Sequence, residues 1–279
     1  MTDAILREIL VKATHVSTSV AVLLSNGVDS NSILAAILRN GIRPTVISFR
    51  IARNVSTDWS AARATARALN LDFVDIELPT DLDVMHADVQ HAIRYLGLRK
   101  KTDIECAIPV RYALDAAKQK NIATVISGLG ADGHFGLSRK AVIRAHTGDG
   151  LDNPEWLDSF RESYFAQTNP AQTQTMTRYA DAIGIQMLAP YINQQIVDLF
   201  RGVSWRALHT PQQKMPTRRA FPEIAQWRVG RSHINLQLGD SGIALNYSRL
   251  VKSRYNTRGA KSVVAIYNDI ARSACSRPM

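Results

Sequence analysis

Along the first half of the chain, short apolar runs alternate with longer stretches in which apolar residues recur at helical spacing. Val20-Ala21-Val22-Leu23-Leu24 is continuous and apolar, the pattern of a strand buried on both faces. Arg43 to Ile51, with Val46, Ile47 and Phe49, predicts a second strand, alternating Asp72 to Leu78 a third, and Ile122 to Ile126 a fourth. Helical spacing runs over residues 3–13, 31–40, 57–69, 81–96 and 104–119, with Gly41 placed to end the second of these helices and Thr57 to cap the third. Strands alternating with helices predict an α/β fold, a mostly parallel twisted sheet with helices on both faces. From about residue 150 the prolines at 154, 170, 190, 211, 216 and 222 break the pattern into short helical pieces, so a mainly helical C-terminal part is expected. The boundary is placed at residues 1–230 for the main domain and 231–279 for a C-terminal extension.

Ligands of such sheets bind at the carboxyl ends of strands near a topological switch, which singles out the turns at 25–30 and 127–136. Ser25-Asn26-Gly27-Val28-Asp29-Ser30 stands between the first strand and its helix. A turn there aims backbone N–H groups and the positive end of a helix dipole at one point, which suits an anion. Ser25 and Ser30 add hydroxyl donors, and Asp29 is placed to hold a divalent cation that bridges phosphate oxygens. Neither Gly-x-Gly-x-x-Gly nor Gly-Lys-Ser/Thr occurs there, which excludes the usual dinucleotide and Walker readings.

Composition adds limits. At 279 residues, 46% hydrophobic and 21% charged, the chain has enough apolar material for a large core, and no apolar run approaches a membrane span. The N-terminus carries acids and lacks the order of a signal peptide, so a cytoplasmic location without membrane contact is expected. Cys106 and Cys275 are far apart and support neither a disulfide framework nor a zinc site. The net charge of +10 is concentrated: residues 201–279 hold 14 Lys+Arg against 3 Asp+Glu. That excess reads as a solvated face, a wall of a polyphosphate site or a nucleic-acid contact. Of the seven histidines only His134 lies in one of the two turns.

The second turn reads Ser127-Gly128-Leu129-Gly130-Ala131-Asp132-Gly133-His134-Phe135-Gly136. Together the two turns resemble the synthetase domain of asparagine synthetase, of the PP-loop, or N-type, ATP pyrophosphatases. The first signature, Ser-Gly-Gly-x-Asp-Ser, is met by Ser25 to Ser30 with Asn26 in second place; the second, Ser-Gly-Glu-Gly-Ala-Asp-Glu-x-Phe-Gly, by Ser127 to Gly136 with Leu129 and Gly133 for the glutamates. Gly184 to Asn193 is similar to Gly-Val-Glu-x-Arg-x-Pro-Phe-Leu-Asp, and Lys214 to Arg218 followed by Trp227-Arg228 to the late Lys and Arg segment.

The resemblance implies ATP and Mg²⁺ as cofactors. Leu23, Ser25, Asn26, Gly27, Asp29, Ser30, Ser127, Gly128, Lys214 and Arg218 would bind the nucleotide, Asp29 and Asp132 the metal, and Asp29, Asp132 and Lys214 would be catalytic. It further implies an AMP-forming ligase that adenylates an acceptor and passes it to ammonia or an amine. Residue 2 is Thr where the family's glutaminase domain begins with Cys, so a separate source of ammonia or amine is expected. Leu129, Gln186, Leu188 and Asn193 replace charged residues of the family pattern, which argues against a small charged acceptor such as aspartate. Two other readings stand beside the ligase: a nucleic-acid-modifying relative holding DNA or RNA through residues 201–279, and an ATP-binding protein without turnover.

Overall fold

The computed structural model describes residues 2–51, 55–137, 154–166, 171–227, 242–255 and 262–275. Arg228, Arg258 and Lys261 lie outside the described residues. A sheet of five strands, β1 (Val20–Leu23), β2 (Thr45–Ile51), β3 (Phe73–Leu78), β4 (Thr124–Ile126) and β5 (Gln186–Leu188), runs in the order β3-β2-β1-β4-β5. Every pairing is parallel, so each connection must cross over the sheet, and helices do the crossing. Helix α1 (Thr2–Ala13) precedes the sheet, and the crossing helices are α2 (Val28–Arg39), α3 (Thr57–Ala68), α4 (Leu82–Arg94), α5 (Lys101–Gln119), α6 (Ala131–Phe135), α7 (Pro154–Ala166) and α8 (Ala171–Ala182). After β5 come α9 (Gln194–Phe200), α10 (Trp205–His209), α11 (Met215–Ala220), α12 (Ile243–Tyr255) and α13 (Val263–Cys275).

Successive strand side chains point to opposite faces, and the two faces bury separate cores. Ala21, Ile47, Val125 and Met187 enter one core with α4, α5, α8, α12 and α13. Val20, Val22, Val46 and Ile126 enter the other with α1, α2, α9 and α11. The mostly parallel sheet covered on both faces is therefore the observed fold, and the part after β5 is helical as expected. The C-terminal helices α12 and α13 place Ile243, Tyr247, Leu250, Val251, Ile266 and Tyr267 in the first core against α4 and α5.

Three differences from the sequence reading bear on the site. Helix α2 begins at Val28, with Gly27 as its N-cap, so the turn residues Asp29 and Ser30 are already helical. Ser56, not Thr57, caps α3, its hydroxyl accepting from Trp59 N–H at 3.1 Å. The strand β5 falls where only helical pieces were expected, because three residues are too short to show a period.

Candidate functional site

From β1 the chain winds outward through β2 to β3, then returns to the other side of β1 as β4 and β5, so the winding reverses between β1 and β4, and their carboxyl ends lie at that switch. The turn after β1 is built by its own polar groups. Gly27 N–H donates to Ser25 Oγ at 3.0 Å, Ser25 N–H to Ser30 Oγ at 3.2 Å, and Asn31 Nδ2 to the carbonyls of Ser25 and Gly27 at 2.9 and 2.8 Å. From α3, Asp58 Oδ1 accepts from Asn26 N–H at 3.0 Å and fixes the tip of the turn. The turn after β4 touches it at Gly128, where an added Cβ would lie 3.0 Å from Asp29 C and Ser30 N. Glycine is required there by close approach of two backbones. Gly130, at φ 91°, then turns the chain into α6.

Both loops open helices, and each puts an aspartate in the first helical turn, where the dipole favours negative charge: Asp29 in α2 and Asp132 in α6. Lys214, distant in sequence, enters between them. Its Nζ donates to Asp29 and, at 3.0 Å, to Asp132 Oδ1. The lysine side chain is 3% exposed, against 14% for Asp29 and 38% for Asp132. Burial alone would pull the ammonium pKa down; Asp132 and Asp29 outweigh it and hold the pKa above the ordinary lysine value. Lys214 has φ 60° and ψ 38°, the left-handed region that a side chain rarely adopts.

Leu23 ends β1 half-buried below the turn, Ser127 is buried at the end of β4, and Arg218 is half-buried with its Nε donating to Gln213 O at 2.9 Å. Burial lowers the Arg218 pKa, and the charge of Asp29 partly restores it. The two turns, Lys214 and Arg218 are thus gathered around one crevice. Of the neutral replacements, Leu129 is half-buried in the second turn and Asn193 lies just past β5, capping α9 through Gln195 N–H at 2.9 Å. Gln186 sits at the opposite, amino end of β5, where its Oε1 accepts from Thr124 Oγ1 at 3.2 Å, so it is not brought to the crevice. His134 is buried and donates from Nε2 to Tyr191 O at 2.5 Å; its ring faces Phe200.

A nucleotide with its metal fits this donor set. Among the described residues no group of three His, Cys, Asp or Glu side chains could hold a metal alone, but Mg²⁺ takes one or two carboxylates plus phosphate oxygens and water. Asp29 and Asp132 converge on a cation already, the ammonium of Lys214. Ser127 Oγ and Asn26 Oδ1 are buried without a hydrogen-bond partner among the described residues, a donor and an acceptor left for a polar ligand.

Sequence reasoning did not find Asp58, Tyr191 or His209. Tyr191 is fully buried with its hydroxyl 2.7 Å from Ser32 Oγ on α2; burial, then the nearby Asp29 charge, raises its pKa. His209 bridges α6 and Lys214. The contacts of Asp58 with Asn26, Tyr191 with Ser32 and His209 with Phe135 join segments far apart in sequence, so no local pattern announces them.

A family model described as asparagine synthase matches residues 2–181 of the 279. The chain belongs to the asparagine synthase family. A search of curated proteins found no match to it. The family match takes in both turns and ends within α8, before β5 and Lys214. Asparagine synthase domains are ATP-using ligases. Among the described residues no helix is long and apolar enough to cross a membrane.

Proposed function

We propose that the protein is an AMP-forming ligase that adenylates an acceptor carboxylate and passes the acyl group to ammonia or an amine. What supports this most is the convergence of Asp29, Asp132 and the buried Lys214 beside a phosphate-type turn. An acceptor oxygen forms a bond to the α-phosphorus while the bond from that phosphorus to the β-bridging oxygen breaks, and pyrophosphate leaves. The amine then attacks the acyl carbon, AMP departs and a proton is released. Asp29 and Asp132 would hold Mg²⁺, whose chemistry is to neutralise charge on the phosphates. Lys214 places a fixed positive charge where the leaving group gains negative charge, and the N–H groups opening α2 orient the phosphate chain. Ser127 and Asn26 offer unfilled hydrogen-bonding positions to the nucleotide.

The experiment is product analysis with Mg-ATP and a pool of candidate carboxylates and amines. AMP and pyrophosphate are expected, and Asp29→Ala is expected to abolish them. ADP and phosphate would overturn the reading, and ATP binding without any cleavage would favour the non-catalytic alternative. Free aspartate is expected to be a poor acceptor, because Leu129 and Asn193 offer no charge to compensate the desolvation of its ions. Efficient asparagine formation would refute that specificity.

A further inference from the structure

His209 ends α10, and its ring stands between the helix that carries Asp132 and the backbone of Lys214. The Phe135 carbonyl, at the end of α6, can only accept a hydrogen bond, and it lies 2.8 Å from His209 Nε2. The Lys214 N–H can only donate, and it lies 3.3 Å from His209 Nδ1. Two partners of fixed character settle the tautomer: Nε2 bears the hydrogen and Nδ1 the lone pair. An imidazolium, or the other tautomer, would set one N–H against another.

The ring is held from the side as well. Trp205 lies against it at 4.4 Å between centroids with the planes tilted by 35°, and Phe135 meets it edge-on at 6.0 Å. Trp205 is in turn anchored through its backbone N–H to Asp158 Oδ1 on α7 at 2.6 Å. The same carboxylate pairs with Arg161 at 2.9 Å, and Arg161 Nη1 donates to the Val203 carbonyl at 2.6 Å. A fixed imidazole therefore measures the gap between α6 and residue 214.

That gap matters because Lys214 is in a left-handed conformation that a non-glycine residue holds only when its surroundings over-determine it. Left-handed backbone here turns the side chain inward, so that Nζ reaches Asp29 and Asp132, while the Lys214 carbonyl accepts from Arg218 N–H at 3.1 Å to start α11. The N–H of Lys214 is the remaining backbone handle, and His209 takes it.

We propose that His209 is a positioning residue for Lys214, a neutral, Nε2-protonated spacer that holds the lysine backbone in its left-handed conformation and so sets the ammonium between the two aspartates. The inference rests on the ligase reading for its catalytic consequence, not for its geometry. In this role His209 acts through Lys214, from whose backbone N–H it accepts.

The test uses the full chain and two variants. His209→Phe keeps a ring against Trp205 and removes both hydrogen bonds, whereas His209→Asn keeps an acceptor at the position of Nδ1. Displacing a catalytic group by about an ångström costs up to roughly 100-fold in rate. For His209→Phe we expect kcat for pyrophosphate release to fall by about 10- to 100-fold with little change in KM for ATP, and for His209→Asn to recover at least half of that loss on a logarithmic scale. Equal losses in both variants, or full activity in His209→Phe, would overturn the proposal. A loss that merely tracks the fall in Tm across the two would overturn it too. If the wild type releases no pyrophosphate with any acceptor, the ligase reading fails, and the ring nitrogens still decide the geometry. Nitrogen-15 spectra at neutral pH are expected to show His209 protonated at Nε2 alone; the other tautomer or an equal mixture would refute it.

Discussion

Removing the Lys214 ammonium would take away the cation that Asp29 and Asp132 share. Breaking a buried ion pair typically costs about 3–5 kcal/mol, and the lower end applies here because Asp132 is 38% exposed. Lys214→Met is therefore expected to lower Tm in the absence of ligand. The same change takes the ammonium from both carboxylates, so millimolar Mg²⁺ without nucleotide should raise the Tm of Lys214→Met and leave the wild type nearly unmoved. No Mg²⁺ effect on the variant would show that the two aspartates do not form a cation seat. Gly128 supplies a second residue-scale expectation. A methyl at 3.0 Å from the backbone of Asp29 and Ser30 cannot be relieved by a side-chain rotation, so the two loops must part. Gly128→Ala should cost about 1–3 kcal/mol and weaken ATP binding, measured by calorimetry and denaturant titration; unchanged affinity would mean that the loops separate in the nucleotide complex.

At the scale of elements, α6 is a five-residue helix that cannot stand alone, and it is fixed by what its side chains reach. His134 donates to the carbonyl of Tyr191, just past β5, from a buried position where burial drives its pKa down to about 4. A depressed histidine pKa means that the unfolded chain takes up the proton first. Its contribution is present above the unfolded value of 6.5 and is lost as the pH falls toward 4. At about 1.4 kcal/mol per pH unit for one proton, roughly 2 kcal/mol disappears between pH 6.5 and 5. His134→Gln, which keeps a donor but does not titrate, should show a correspondingly shallower loss of stability over that interval, measured by urea unfolding at each pH; identical slopes would show that His134 is not buried neutral. The sequence displays such elements unevenly. The strand β1, its turn and α2 are legible because a continuous apolar run, turn residues and helical spacing follow one another. The strand β5 is not legible, since Gln186-Met187-Leu188 has no length to show a period. Asp58, Tyr191 and His209 escape for another reason: their contacts with Asn26, Ser32 and Phe135 run across the fold, made only after the sheet order has brought α3, the segment past β5 and α10 around the two turns.

Over the whole molecule, charge and burial meet in the C-terminal helices. Nine side chains of α12 and α13 enter the core under α4 and α5, and burying each large one contributes about 1.5–3 kcal/mol. Their sum rivals the 5–15 kcal/mol by which a typical domain is stable. A chain ending near residue 240 is therefore expected not to fold, and any role for the basic surface must be tested with the helices in place. Part of that basic charge is already matched: Arg254 pairs with Asp83 on α4, and Arg272 with Asp269 at 2.7 Å. Arg249 and Lys252 are exposed on α12 and have no acidic partner among the described residues. If these two contact a polyanion, each neutralised phosphate on a DNA duplex adds about 0.9 to the slope of log affinity against log salt. Replacing both by serine should then weaken binding to a random duplex and reduce that slope by about 1.8, while Tm stays within a few degrees because both side chains are exposed. Binding of the double variant with an unaltered slope would make the charge of α12 a solvated face, and the search for an acceptor would turn to small molecules.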